Sequence, residues 1–246
     1  RHYTATNGLP ARTVYKIDSG ADGALWLGTD AGLIRFDGEN FRNVHRELGL
    51  NPFVVDSPRV APDGSVWFGS WGKGLWRYDP SGIESENLRH WTRTDGLPDN
   101  VVWSLEFAPT NVVWISTLTG ASRFDGTSFV NFSQNDGLAD NHVSMIHQDG
   151  DGLLWFATQA GLTRYDPTSA TTFTTADGLP SNDIRSAVRD QAGNLWLATA
   201  SGLSRWDGHA FSNVTTREGL PSNDIRRLAV LPGGSICLAT TSGVGI

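Results

Sequence analysis

A five-residue pattern, apolar, Trp, apolar, small, then Thr or Ser, returns along this chain at a nearly fixed period, and that period constrains the fold more than any other feature. It reads Leu25-Trp26-Leu27-Gly28-Thr29, Val66-Trp67-Phe68-Gly69-Ser70, Val113-Trp114-Ile115-Ser116-Thr117, Leu154-Trp155-Phe156-Ala157-Thr158 and Leu195-Trp196-Leu197-Ala198-Thr199. A sixth copy, Ile236-Cys237-Leu238-Ala239-Thr240, carries Cys in place of Trp. Successive copies lie 41, 47, 41, 41 and 41 residues apart. A second marker, Gly-Leu, keeps the same five spacings at Gly8, Gly49, Gly96, Gly137, Gly178 and Gly219, and Pro follows it in four of the six copies. Two independent markers on one period define six equivalent repeats.

Each repeat reads as four short apolar runs separated by Asp- and Gly-rich turns, with no sustained helical period. The first repeat predicts strands near Val14–Ile17, Leu25–Thr29, Leu33–Phe36 and Phe41–Val44, and no helix is expected. The first three runs are apolar on both faces, so every sheet must be covered on both sides. Radial stacking around an axis achieves this and leaves only short edges, whereas a solenoid would need polar capping repeats that the chain lacks. We therefore expect an all-β fold, a six-bladed β-propeller of four-stranded antiparallel blades, as a single domain over residues 1–246. Five residues before each marker Gly stand Tyr3, Val44, Trp91, Phe132, Phe173 and Val214, the apolar end of each fourth strand. The last repeat stops at Gly243–Ile246, so the segment Arg1–Thr6 is expected to supply the missing fourth strand and close the last blade.

Recurrence separates structure from function. Arg-aromatic-Asp recurs five times, at Arg35-Phe36-Asp37, Arg77-Tyr78-Asp79, Arg123-Phe124-Asp125, Arg164-Tyr165-Asp166 and Arg205-Trp206-Asp207. An active site is a singular constellation, so five equal copies indicate packing and turn formation. The repeated Trp is read as inter-blade filler, and Cys237, in the same register, as a buried core residue. Function belongs where the repeats differ. Seven residues after each marker Gly, the innermost strand presents Tyr15, Asp56, Trp103, Ser144, Arg185 and Arg226, a set poor as core and suited to a polar or anionic ligand. Three positions closer to the Gly stand Arg12, Phe53, Asn100, Asn141, Asn182 and Asn223, where Asn first suggests loop bracing. The second repeat has one extra residue in its turn Ser70-Trp71-Gly72-Lys73-Gly74, which sets Trp71 and Lys73 over the same end as a candidate platform for a sugar face. The loop from Pro80 to Asn87 absorbs the rest of its extra length. We thus take Tyr15, Asp56, Trp71, Trp103, Arg185 and Arg226 as candidate ligand-binding residues, and assign none as catalytic.

Other classes find little support. A formal net charge of −7, from scattered acids, disfavours phosphate-backbone binding. No cluster of Cys and His has metal-ligand spacing, and His142 and His147 fall on opposite faces of a strand. We expect no metal and no cofactor. No run approaches a membrane span, and the chain opens at Arg1 without a signal-like apolar stretch. Two Asn-x-Ser/Thr sequences start at Asn131 and Asn213 and would matter as acceptors only in a secreted eukaryotic chain.

The string from Asp177 to Gly208, Asp-Gly-Leu-Pro, then an apolar strand, then Gly-x-Leu-Trp-x-Ala-Thr-x-x-Gly-Leu-x-Arg-Trp-Asp-Gly, resembles the two-component regulator propeller repeat. The signature dipeptides of WD-repeat and kelch blades are absent. The resemblance implies a sensor-type propeller, set in the periplasm or otherwise outside the cytoplasm, that recognises a small polar ligand or oligosaccharide, with a protein partner on one face and no nucleic acid or membrane contact. Two other readings stand beside it: a structural or engineered scaffold without a ligand, and a propeller-type lyase or hydrolase.

Overall fold

In a computed structural model the described residues, 2–83, 87–150, 152–166 and 168–246, fold into six antiparallel sheets, one per repeat. The fold is a six-bladed β-propeller, almost entirely β. By contacts it divides into two compact units, one running up to residue 118 together with 122–131, the other holding 119–121 and the residues from 132 onward. In the first repeat the strands are Val14–Ser19, Leu25–Thr29, Gly32–Phe36 and Phe41–Asn43, within two residues of the sequence expectation. The second strands carry more buried apolar residues than the first, third or fourth; Phe68, Ile115, Phe156 and Leu197 at their centres are fully enclosed.

The marker Gly-Leu ends a short capped turn that returns the chain from one blade to the next. In Thr92–Gly96 the Thr92 hydroxyl accepts from Thr94 N–H at 3.3 Å, and Asp95 reaches back to accept from Thr92 N–H at 2.8 Å. Gly96 then takes the left-handed conformation at φ 111°. The same reciprocal box occurs at Ser133–Asp136 and Thr174–Asp177. Asn100, Asn141, Asn182 and Asn223 each accept the next exposed N–H of such a turn, from Arg93, Gln134, Thr175 and Thr216, at 2.7–2.8 Å. These four asparagines are therefore loop braces. Every early N–H of a turn this short lacks an intrahelical partner, so side chains must supply the acceptors.

The recurrent Asp after the third strand does the same for the outer hairpin. Asp37 Oδ1 accepts from Glu39 and Asn40 N–H at 2.9 and 2.7 Å, and Asp207 Oδ1 from His209 and Ala210 N–H at 2.9 Å each. These backbone donors hold both carboxyls below the usual carboxylate range. Asn131 and Asn213 brace neighbouring blades: each donates to the carbonyl of the preceding marker glycine, Gly96 and Gly178, at 2.9 and 2.8 Å. Each also accepts a serine hydroxyl, from Ser122 and Ser204, at 2.7 Å.

Three expectations need correction. The sixth sheet has three strands, Ile225–Val230, Ile236–Thr240 and Gly243–Gly245, and His2–Thr4 form no strand; Arg1 lies outside the described residues. Tyr3 nonetheless packs as the end of a fourth strand does. Its ring lies 5.0 Å from Phe36, which stacks on Phe41 at 4.4 Å; Trp91 lies 5.1 Å from Phe124, which stacks on Phe129 at 4.4 Å. Cys237 is partly exposed rather than buried, in the sheet that lacks a fourth strand. A single α-helical turn, Val44–Glu47, replaces the Ser/Thr-capped turn of the second repeat, where Asn43 caps it by accepting from Arg46 N–H at 2.9 Å. Part of the lengthened Pro80 to Asn87 loop, residues 84–86, lies outside the described residues.

That helical turn buries His45 to 1% exposure, with Nε2 2.8 Å from the Asn51 carbonyl and the ring edge-on to Phe53. Burial lowers its pKa, opposed by the Asn51 hydrogen bond. The folded state therefore resists protonation that the unfolded chain, with an ordinary histidine near 6.5, accepts freely. Stability from this group is complete above that value and falls as pH drops towards the lowered folded pKa. Urea midpoints measured between pH 7.5 and 5 should fall for the native chain and flatten in His45→Gln. Replacing Gly178, whose φ is 106°, by Ala should cost about 1–2 kcal/mol from left-handed strain, seen as a lower Tm without loss of the β spectrum.

Candidate functional site

The six positions where the repeats differ share one local geometry. Each first strand pairs with its second strand through a register shift at its start, between Val14 and Lys16, Val55 and Ser57, Val143 and Met145, Ile184 and Ser186, and Ile225 and Arg227. In the third blade the shift leaves out Trp103. The residues that the ladder skips are Tyr15, Asp56, Trp103, Ser144, Arg185 and Arg226. A bulge adds one unpaired residue and turns its side chain out of the regular alternation, so these positions are released from core packing.

In the first unit the bulge residues gather around Trp71. The extra residue in the second blade's turn carries Trp71 just past the strand Val66–Ser70, where its N–H donates to the Val54 carbonyl at 3.1 Å and its backbone bridges Val101. Gly72 and Gly74 N–H both donate to the Asn100 carbonyl, at 3.1 and 2.8 Å. Gly74 has φ 77°, and a Cβ there would stand 2.2 Å from the Trp91 carbonyl oxygen, so only glycine fits this close approach. The turn is thus pinned between the loops of two blades.

The Trp71 indole N–H donates to Asp56 Oδ2 at 3.0 Å, while Lys16 Nζ lies 3.3 Å from Asp56 Oδ1 and also donates to the Trp103 carbonyl. Asp56 is 5% exposed, so its carboxylate is enclosed and committed on both oxygens. Around the indole stand Tyr15, at 5.2 Å between ring centroids, and Trp103 at 5.9 Å. Trp71 itself remains 46% exposed. The unit therefore presents an aromatic group whose polar edge is tied down and which stays nearly half open to solvent. Lys73 is exposed; its carbonyl accepts from Trp76 Nε1 at 3.0 Å and lies 2.6 Å from His90 Nε2, which fixes the turn from the other side.

In the second unit Arg185 Nε and Nη2 reach Asp183 Oδ2 at 3.0 and 2.9 Å, and Nη1 reaches Asp224. Arg226 forms a fork on Asp224, with Nε and Nη2 each 3.1 Å from a carboxylate oxygen. Both guanidiniums are already matched by carboxylates that the sequence reading left out. Lys16 was also absent from it, because it lies beside the bulge and its register looks like core. Among the described residues no cluster of His, Cys, Asp or Glu could hold a metal.

Residues 137–160 and 178–201 match the two-component regulator propeller family model, so these repeats are of that type. No curated protein matches the sequence. Among solved structures, the extracellular domains of two proteins described as hybrid two-component systems of B. thetaiotaomicron superpose with TM-scores of 0.65 and 0.68 at 19% and 20% identity. Each match covers 96% of this chain but only 39% and 38% of the other, so the chain spans about two-fifths of their length. A catalytically inactive virginiamycin B lyase from Staphylococcus aureus, solved with quinupristin, superposes with a TM-score of 0.75 at 15% identity, covering 96% of this chain and 80% of its own. At such identities these likenesses show the fold alone.

Asp56→Ala should release the Trp71 indole and strand Lys16 beside an emptied pocket. We expect a loss of about 1–3 kcal/mol in stability and faster depolarisation of tryptophan fluorescence.

Proposed function

We propose that this chain is a ligand-recognition propeller whose contact surface is Trp71 with Tyr15 and Trp103, and that it takes the apolar face of a sugar ring. The observation that carries this is the pairing of exposure with restraint: an indole nearly half open to solvent, fixed at its N–H by an enclosed carboxylate. A large aromatic ring held rigid loses little entropy on binding and offers a flat apolar contact with a polar margin. Such a margin suits a saccharide, whose C–H faces stack while hydroxyls seek the rim.

An anionic ligand at Arg185 and Arg226 is the weaker reading. Those guanidiniums already bond Asp183 and Asp224, and an incoming anion would have to displace an intramolecular carboxylate. The family of the repeats and the extracellular domains that share the fold support a sensor role outside the cytoplasm. Among the described residues no helix is long and apolar enough to cross a membrane.

Calorimetric titration with a panel of neutral and charged oligosaccharides tests the reading. At least one neutral oligosaccharide should bind, and Trp71→Ala should weaken it by about tenfold or more, near 1.4 kcal/mol, with the β spectrum retained and a lower Tm from the enclosed Asp56 oxygen that loses its donor. Absence of heat with every saccharide, or equal binding by Trp71→Ala, would sink the proposal.

A further inference from the structure

One blade meets the next through a recurring apolar contact, made by a leading face on one blade and a following face on its successor. In the second unit Ala157 and Leu162 of the fourth blade share a buried cluster with Ile184 and Ala187 of the fifth. Ala198 and Leu203 of the fifth blade do the same with Ile225 and Leu228 of the sixth. In the first unit Leu75 of the second blade is enclosed with Val102 and Leu105 of the third. The leading residues come from second and third strands, the following residues from the first strand. The two halves of the contact are different surfaces, so it is heterologous.

Two such faces are open to solvent. The sixth blade holds Ala239 and Val244 at the leading positions; Ala239 is exposed, and Val244 is 70% exposed. The first blade holds Val14 and Ile17 at the following positions; Val14 is half-buried, and Ile17 is 56% exposed. Every counterpart of these four residues in the other five blades is buried. Apolar side chains that the repeat pattern assigns to a packed contact, yet which meet water, mark a surface built for a partner. The faces themselves identify that partner: what fits a leading face is a following face of the same repeat type, and this chain displays one of each.

We propose that a second copy of this chain covers them: the sixth blade of one copy lays Ala239 and Val244 on Val14 and Ile17 of the next copy's first blade, as Ala198 and Leu203 lie on Ile225 and Leu228. Because the two halves differ, association is head to tail, and copies add until the rotation between them closes a ring. Trp71 belongs to neither face, so the inference stands apart from the sugar reading.

Sedimentation velocity over a dilution series of the whole chain, set beside Ile17→Asp and Val244→Asp, is the test. Both side chains are exposed in a single copy, so each variant should keep the native β spectrum and Tm. The native chain should sediment as species larger than one copy, growing with concentration. Each variant alone should have its self-association weakened by about tenfold or more, because the contact would bury an unpaired carboxylate. Mixed in equal amounts, the two variants should form a species of two copies and no larger, since Val244 of the Ile17→Asp chain meets Ile17 of the Val244→Asp chain. A native chain that stays monomeric at every concentration overturns the proposal. So does either variant associating alone as the native chain does, or a mixture that remains monomeric.

Discussion

Everything in this propeller hangs on the turn that carries the chain from the fourth strand of one blade to the first strand of the next. That turn is too short to satisfy its own backbone, so its N–H groups take acceptors from a Ser or Thr, an Asp, Asn or Glu three residues on, and in four of the turns an Asn beyond the marker. The glycine that ends it must be left-handed. Those fixed chemical needs, repeated, are what make the period visible: a repeat whose junction varied would show no common spacing. The junction also places the next strand's opening residues, and hence the bulge at which the blades differ.

The bulge explains why the chain separates its structural residues from its variable ones. Along a regular strand each side chain is claimed by one face or the other. One skipped residue per first strand is claimed by neither, which lets Tyr, Asp, Trp, Ser and Arg occupy one position without harm to the sheet. In the second blade an added turn residue extends the same freedom to Trp71. The aromatic surface there is a product of two local irregularities in a scaffold that is otherwise uniform.

Strand positions were legible because apolar runs and Asp-Gly turns alternate so plainly, and the candidate site was legible because a constant offset from the marker Gly finds the variable residue. Lys16 was not, since its neighbour's bulge changes which way it points and nothing in composition announces a bulge without glycine. The carboxylates Asp183 and Asp224 look like turn formers, which hides their pairing with Arg185 and Arg226. Tyr3 matches the end of a fourth strand and packs as one, but a strand also needs a paired ladder, and His2–Thr4 form none.

Asn131 and Asn213 have a consequence for the cell that makes the chain. Both begin an acceptor sequence for N-linked sugar, and both spend their amide nitrogen on a carbonyl of the preceding blade. A glycan would sit on the atom that ties two blades together. In a secretory pathway that modifies nascent chains, sugar transfer and blade assembly would compete for the same nitrogen, and every modified molecule would carry a missing brace.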